Sequence, residues 1–324
     1  MSRRPDPLPP PVPSRESYYG RPILKPPAWD WRIPAYLFAG GLSAGATILS
    51  TGADLTGRPT LRRRGRIAAL AGLGASTYFL VSDLGRPMRF HHMLRVAKPT
   101  SPMSVGTWII AAYSPGIGLA AAGELLPPRW RRTRAGRLLR LLGRPGGLAS
   151  AAVAPALASY TGVLLSQTAV PAWNAAHPYL PFVFTGSAAA AAGGLGMAVA
   201  PVAEAGPART FAAMGAVGEL VASRAMEGRL GTVDEAYESE PAHRLRAWSE
   251  RLTAAGLVGT LLARRSRVAG VLSGAALLAG SALQRFGVFE AGVASTRDPR
   301  YVVEPQRERL RAGGQETPAV SSTQ

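Results

Sequence analysis

Cysteine is absent from the 324 residues of this chain. That excludes disulfides, thiolate zinc sites and cysteine-ligated iron–sulfur clusters held by the chain itself. Histidine is scarce: His91, His92, His177 and His243 are the whole set. None lies well inside an apolar run, so a pair of axial haem ligands at membrane depth is not expected. No metal site is predicted.

Charge is also scarce, at 17% of residues against a usual value of about 25% in soluble domains. Acidic residues are fewest, with 19 Asp and Glu against 37 Lys and Arg, a formal net charge of +18. A basic protein invites a nucleic-acid reading. Here the arginines are spread over many connections between apolar runs, which suits lipid headgroups and membrane topology better than a duplex. Nucleic acid is therefore not an expected partner, and membrane lipid is.

The N-terminal stretch 1–32 is proline-rich and has no apolar core, so it does not read as a cleavable signal peptide. The pair Arg3-Arg4 is not closely followed by an apolar stretch and does not read as a twin-arginine signal.

What the sequence does have is long apolar segments, eight of them: Ile33–Gly52, Ile67–Ser82, Val105–Leu126, Leu148–Ser166, Tyr179–Ala200, Ala208–Ala222, Leu252–Ala263 and Val268–Phe289. A helix needs about 20 residues to cross the hydrocarbon core. The second, sixth and seventh segments are short, and the seventh is the weakest. The pattern predicts an all-α membrane protein with eight transmembrane helices. Glycines crowd the spans (Gly40, Gly41, Gly45, Gly72, Gly74, Gly193, Gly194, Gly196), as close helix packing in lipid requires. Arginines concentrate after the first, third and seventh spans (Arg58 to Arg66, Arg129 to Arg144, Arg264 to Arg267). By the positive-inside rule that face is cytoplasmic and both termini lie outside. The stretch 224–251 reads as a solvated connection, and the polar tail after Thr296 as extended, or disordered at its end.

Ionisable residues within spans are costly and usually face the bundle interior. Asp83, at the end of the second span, is a protonatable group beside a possible ligand pocket, or the partner of Arg86 and Arg89 in a salt bridge that fixes the loop. Glu124 and Glu219 are proton-relay candidates or interhelical hydrogen-bond partners, and Arg285 is a possible partner for Glu219. Tyr36, Tyr78 and Tyr160 carry hydroxyls that need partners in lipid. Those partners are either another helix or a bound quinone. Trp29, Trp31, Trp108 and Trp173 fit an interfacial belt.

One stretch is specific: Ser82-Asp83-Leu84-Gly85-Arg86-Pro87, Arg89-Phe90-His91-His92-Met93-Leu94, and Lys98-Pro99-Thr100-Ser101-Pro102-Met103-Ser104-Val105-Gly106-Thr107-Trp108. With Trp29-Asp30-Trp31-Arg32-Ile33-Pro34, and Tyr160-Thr161-Gly162-Val163 leading to Pro171-Ala172-Trp173-Asn174, it resembles the NrfD/PsrC family of polysulfide-reductase-type membrane subunits. The resemblance implies two four-helix bundles: a quinone-binding one over 33–166 and a second over 167–291, flanked by the tails 1–32 and 292–324. It also implies menaquinone or ubiquinone as the carrier, an adjoining iron–sulfur subunit on the outer face, and a molybdopterin subunit beyond it. Tyr160 matches the family's span-four tyrosine. In span one, Ile33 and Tyr36 stand where better-known members carry amide and imidazole side chains. Tyr36, Tyr160, Arg86 and His91 are the expected carrier contacts, and Asp83, Glu219 and Glu124 the expected proton-handling groups. Rival readings are a proton-translocating module using Glu124, Glu219 and Arg285, and a solute transporter, for which no internal repeat is evident.

Overall fold

The computed structural model describes residues 23–312, all of whose regular elements are helical. Most of the proline-rich N-terminal stretch and the end of the C-terminal tail lie outside those residues, and with them the readings made there.

Among the described residues, twelve α-helices follow one another: α1 (Arg32–Leu55), α2 (Pro59–Ser82), α3 (Pro102–Leu125), α4 (Pro128–Arg131), α5 (Arg134–Ser166), α6 (Pro171–Ala175), α7 (Leu180–Val199), α8 (Gly206–Glu227), α9 (Asp234–Glu238), α10 (Ala242–Leu262), α11 (Arg267–Ser295) and α12 (Arg300–Ala312). Five of them, α1, α3, α5, α7 and α11, are long and apolar enough to cross a membrane. A sixth candidate is α2 together with the 3-10 helix Pro87–Leu94, bent by 106° between the two.

Each of the eight apolar segments lies in a helix of 20 residues or more. The helices α2, α8 and α10 extend the segments read as short by taking in charged turns. Arg62, Arg63, Arg64 and Arg66 belong to the first two turns of α2 rather than to a loop. Arg134, Arg137, Arg140 and Arg144 belong to α5. That helix has 33 residues, about 50 Å long at 1.5 Å per residue. The connection read over 224–251 is mostly helical, and the polar tail folds into α12 over 300–312. Charged turns hide a helix from a hydropathy reading without weakening it, because helix propensity does not require apolar side chains.

Neighbours are mostly sequential: α1 packs on α2, α3 on α5, α7 on α8, and α10 on α11, while α1, α5, α7 and α11 meet across the middle. Small residues let them do so. A methyl at Gly45 would come within 2.6 Å of the Ala188 carbonyl oxygen, so α1 and α7 meet backbone to backbone. Gly193 holds α7 against Ala212 of α8 in the same way. Gly74, by contrast, faces open space.

Polar groups inside the first four long helices are largely satisfied internally, as a low-dielectric interior demands. Buried Tyr113 of α3 shares its hydroxyl with Ser43 (2.8 Å) and Thr47 (2.6 Å) of α1, and its carbonyl accepts from Ser150 of α5 at 2.6 Å. At the arginine-rich end, Asp54 of α1 and Glu124 of α3 hold Arg62 and Arg66 of α2 and Arg144 of α5 at 2.8–3.3 Å. Nearby, Glu204 reaches across from the α7–α8 connection and accepts from the Thr60 and Leu61 amides at 2.8 and 3.0 Å. It thereby caps α2, whose own preceding residue, Arg58, supplies no capping oxygen.

Candidate functional site

The motif residues gather at the other end of these helices. The Trp29-Asp30-Trp31-Arg32 turn leads into α1, where the Asp30 carboxylate accepts from the Arg32 amide at 2.8 Å. The Arg32 guanidinium donates to the Ser82 carbonyl at 2.7 Å and so ties the start of α1 to the last turn of α2. Asp83 stands next to that joint. Its carboxyl sits above the usual aspartate range, because of partial burial and then the neighbouring Asp30 carboxylate, with a hydrogen bond from the Asp30 backbone amide and then Arg32 offsetting part of the shift. Two facing carboxylates that repel each other make a natural proton acceptor. The expected alternative, a salt bridge from Asp83 to Arg86 or Arg89, is not formed. Gly85 and Pro87 end α2, and the chain turns onto the surface, which carries both arginines outward.

One turn into α1, Tyr36 is 2% exposed, and Tyr160 of α5 is 6% exposed. The two phenols are close enough to interact electrostatically. Neither hydroxyl has a hydrogen-bond partner among the described residues, unlike Tyr113 at mid-depth. Gly106 of α3 makes room for the Tyr160 ring: a methyl there would overlap its phenol carbon and oxygen. That gives the glycine of the KPTSPMSVG stretch a physical reason. Phe79 and Ile110 pack against the apolar cluster that contains Tyr36. The site thus offers two phenol hydroxyls without internal partners, at the same end of the helices as the Asp30 and Asp83 carboxylates.

The structure does not bring the other expected carrier contacts to the phenols. Arg86 and His91 are exposed on the bent surface segment, where His91 meets His92 edge to face at 4.5 Å. Tyr78 is 68% exposed and faces outward. Glu124 is engaged in the ion network at the opposite end and is not near Glu219 or Arg285. Trp173 does not belong to an interfacial belt. It is wholly buried, stacked on Trp29 at 5.8 Å and packed on Phe289, and its indole donates to the Val288 carbonyl at 2.8 Å. Position alone does not distinguish a fully enclosed indole nitrogen, here just after the proline that starts α6, from a membrane-edge tryptophan.

The second group of buried charges lies between α7, α8 and α11. Glu219 of α8 is 2% exposed, and one carboxylate oxygen has no partner. Arg285 of α11 does not form a direct ion pair with it. Its guanidinium donates to the Phe184 carbonyl at 2.8 Å and to Ser281 at 3.3 Å, and lies 4.5 Å from the Phe184 ring centre. Ser281 accepts from Ser187 at 2.9 Å, and Ser187 also faces Glu219. A polar cavity of about 220 Å³ runs from Glu227, Asp234 and His243 at the surface to Glu219, Thr253 and Gln284 at its inner end. No signal in the sequence joined His243 to Glu219, because the end of α8 and the whole α8–α10 connection lie between them.

No group of His, Cys, Asp and Glu side chains suited to a metal ion exists among the described residues. The family model described as "Polysulphide reductase, NrfD" matches residues 24–210, more than half of the chain. The C polypeptide of the polysulfide reductase of Wolinella succinogenes is 30% identical over 172 residues, which is 49% of this chain and 54% of that protein. The C polypeptide of the selenate reductase of Mesobacillus selenatarsenatis is 36% identical over 89 residues, 26% of this chain and 20% of that protein. The match thus spans about half the length of the first relative and a fifth of the second. The matched region takes in the Arg32–Ser82 joint, the bent motif segment and both buried phenols, and this multi-pass membrane protein belongs to the NrfD family.

Proposed function

We propose that the chain is a quinone-binding membrane subunit of a multi-subunit oxidoreductase in the bacterial cytoplasmic membrane. It exchanges electrons between the quinone pool and a partner iron–sulfur subunit, which in turn serves a molybdopterin subunit. The single observation that carries this reading is the pair of buried phenols, Tyr36 and Tyr160, free of internal hydrogen bonds, at the end of the helices where Arg32 ties α1 to α2 next to Asp83. A quinone, menaquinone or ubiquinone, supplies a lipid-soluble carrier of two electrons and two protons. Tyr36 and Tyr160 would bind and orient its ring oxygens, Gly106 would keep the Tyr160 ring in place, and Asp83 would accept a proton at its carboxylate. Arg86 and His91 lie on the exposed motif segment, nearer to where a partner subunit would sit. The eight long helices are read as two four-helix bundles over 33–166 and 167–291, with the arginine-rich end cytoplasmic.

Affinity purification through this protein, followed by quinol titration, tests the assignment. Reduction of the partner's clusters, followed by electron paramagnetic resonance, should slow by more than tenfold in Tyr160→Phe with Asp83→Asn. Wild-type kinetics in that double variant would remove the site.

A second reading, redox-coupled proton movement, is favoured by the polar cavity that ends at the unpartnered oxygen of Glu219. Against a complete path, Ala212, Ala216 and Leu277 pack in the apolar cluster one to two turns further toward the arginine-rich end. Solvent isotope effects on turnover in Glu219→Gln separate the two readings: an unchanged effect leaves electron exchange alone.

A further inference from the structure

The arginine-rich end holds two kinds of arginine. Arg62, Arg66 and Arg144 are neutralised by Asp54 and Glu124, and Arg64 and Arg267 donate to carbonyls in the last turns of α7. Among the described residues Arg58, Arg209 and Arg264 lack an ion pair: Arg209 donates to the Val202 carbonyl at 3.3 Å and Arg58 to the Thr56 hydroxyl at 3.4 Å. The three come from the α1–α2 turn, the first turn of α8 and the second residue past α10, and they meet at one groove of about 820 Å³. Arg209 is within electrostatic reach of both others. Arg58 also places its guanidinium 3.6 Å from where a methyl on Gly206, the first residue of α8, would stand. Among the described residues none of the three has a carboxylate within ion-pair distance. The nearest acid, Glu204, interacts with Arg58 but is already engaged by the Thr60 and Leu61 amides. From these cations the groove continues along Ile48, Phe211, Met214 and Leu261, and Met214 and Leu261 are each 68% exposed.

Three like charges do not gather without an ion-pairing carboxylate at no cost, and here they gather beside an apolar channel along the helices. A soluble anion would leave that apolar wall uncovered, and a neutral lipid would leave the charges uncompensated. We propose that the groove between α1, α8 and α10 is a specific site for an anionic phospholipid of the leaflet at the arginine-rich end. The phosphate is held by Arg58, Arg209 and Arg264, and an acyl tail lies along Phe211, Met214 and Leu261. Guanidinium is suited to phosphate through its planar fork of donors. The lipid joins α1, from the half that bears the two phenols, to α8 and α10.

The test uses the full-length protein in detergent micelles, delipidated and then titrated with phosphatidylglycerol, phosphatidylcholine or inorganic phosphate. Thermal unfolding and native mass spectrometry are read together. Phosphatidylglycerol should raise the unfolding temperature and survive as an adduct, while phosphatidylcholine and inorganic phosphate do neither. Arg58→Gln/Arg209→Gln/Arg264→Gln should weaken phosphatidylglycerol roughly a hundredfold, at about fivefold per arginine. The control Arg63→Gln/Arg132→Gln, which removes two exposed charges from the same end, should leave it unchanged. If the triple variant does not fold, Met214→Trp fills the acyl wall while keeping every charge, and should likewise lose the adduct. Equal stabilisation by phosphatidylcholine, a response to inorganic phosphate alone, or full retention of phosphatidylglycerol in the triple variant or in Met214→Trp overturns the proposal.

Discussion

The two halves of the molecule treat buried polarity in opposite ways. In the first, each charge at depth has an opposite charge beside it: Asp54 and Glu124 face three arginines at one end, and in the middle Tyr113 is shared between Ser43 and Thr47. Arg66 keeps one free Nε there, but its other two nitrogens are both paired. The phenols of Tyr36 and Tyr160 are left over, and they are neutral. In the second half, charged groups sit at mid-depth without a direct ion pair, and atoms stay unmatched: a Glu219 oxygen, the Arg285 Nε and the Thr253 hydroxyl. A matched network holds helices together. An unmatched buried group is costly, so its presence points to a task or to water within a cavity.

The largest test of this contrast removes an acid from the matched network. Glu124→Ala leaves Arg62 and Arg66 with Asp54 alone, and should cost about 3–5 kcal/mol, read from the unfolding midpoint in detergent. A loss below about 1 kcal/mol would mean that the network is not what holds the arginine-rich end.

Next comes Gly106→Ala, which overpacks the Tyr160 ring. It should destabilise by about 1–3 kcal/mol and reduce quinol-dependent cluster reduction at least tenfold. Gly74→Ala, facing open space on α2, should do neither. Equal behaviour of the two glycines would separate the motif from the phenol.

Glu204→Gln weakens the cap on α2 by about 1 kcal/mol. Burial raises this carboxyl's pKa, but hydrogen bonds from Thr60 and Leu61, with Arg58 beside it, bring it net below the ordinary glutamate value. Its contribution is therefore fully present above the unfolded pKa of about 4.3 and fades as the pH falls through the lower folded value. The gap between wild type and variant should close on acidification, and a gap that widened would contradict the cap.

The smallest effect is expected at Thr253, where valine removes an unpartnered buried hydroxyl. Stability should change by less than about 1 kcal/mol or rise. A loss of about 2 kcal/mol would show that the cavity holds an ordered water on that hydroxyl.

The sequence carried a good deal of this arrangement. Apolar runs located all eight long helices, and the KPTSPMSVG stretch contains Gly106, whose missing side chain leaves room for the Tyr160 ring. What it missed has physical causes. Hydropathy stops at the first arginine, so the charged turns of α2, α5 and α10 read as loops. Position near a span end does not distinguish an interfacial indole from one enclosed between Trp29 and Phe289. Charge spacing gave no register between helices, so Glu124, Glu219 and Arg285 read as one relay although Glu124 belongs to a separate network. The free phenols and the three-arginine groove depend on residues far apart in sequence, Tyr36 with Tyr160 and Arg58 with Arg264, which no local pattern encodes.

The overlong α5 has a mechanical consequence. Its arginines at 134, 137, 140 and 144 recur every three or four residues, so they form a strip down one side of a rod about 20 Å longer than the hydrocarbon is thick. Such a strip acts as a depth stop: drawing the rod further into the oil would strip water from one cation after another. Because Arg144 also grips Asp54, the stop fixes the height of α1 as well, and with it how far below the opposite surface Tyr36 sits.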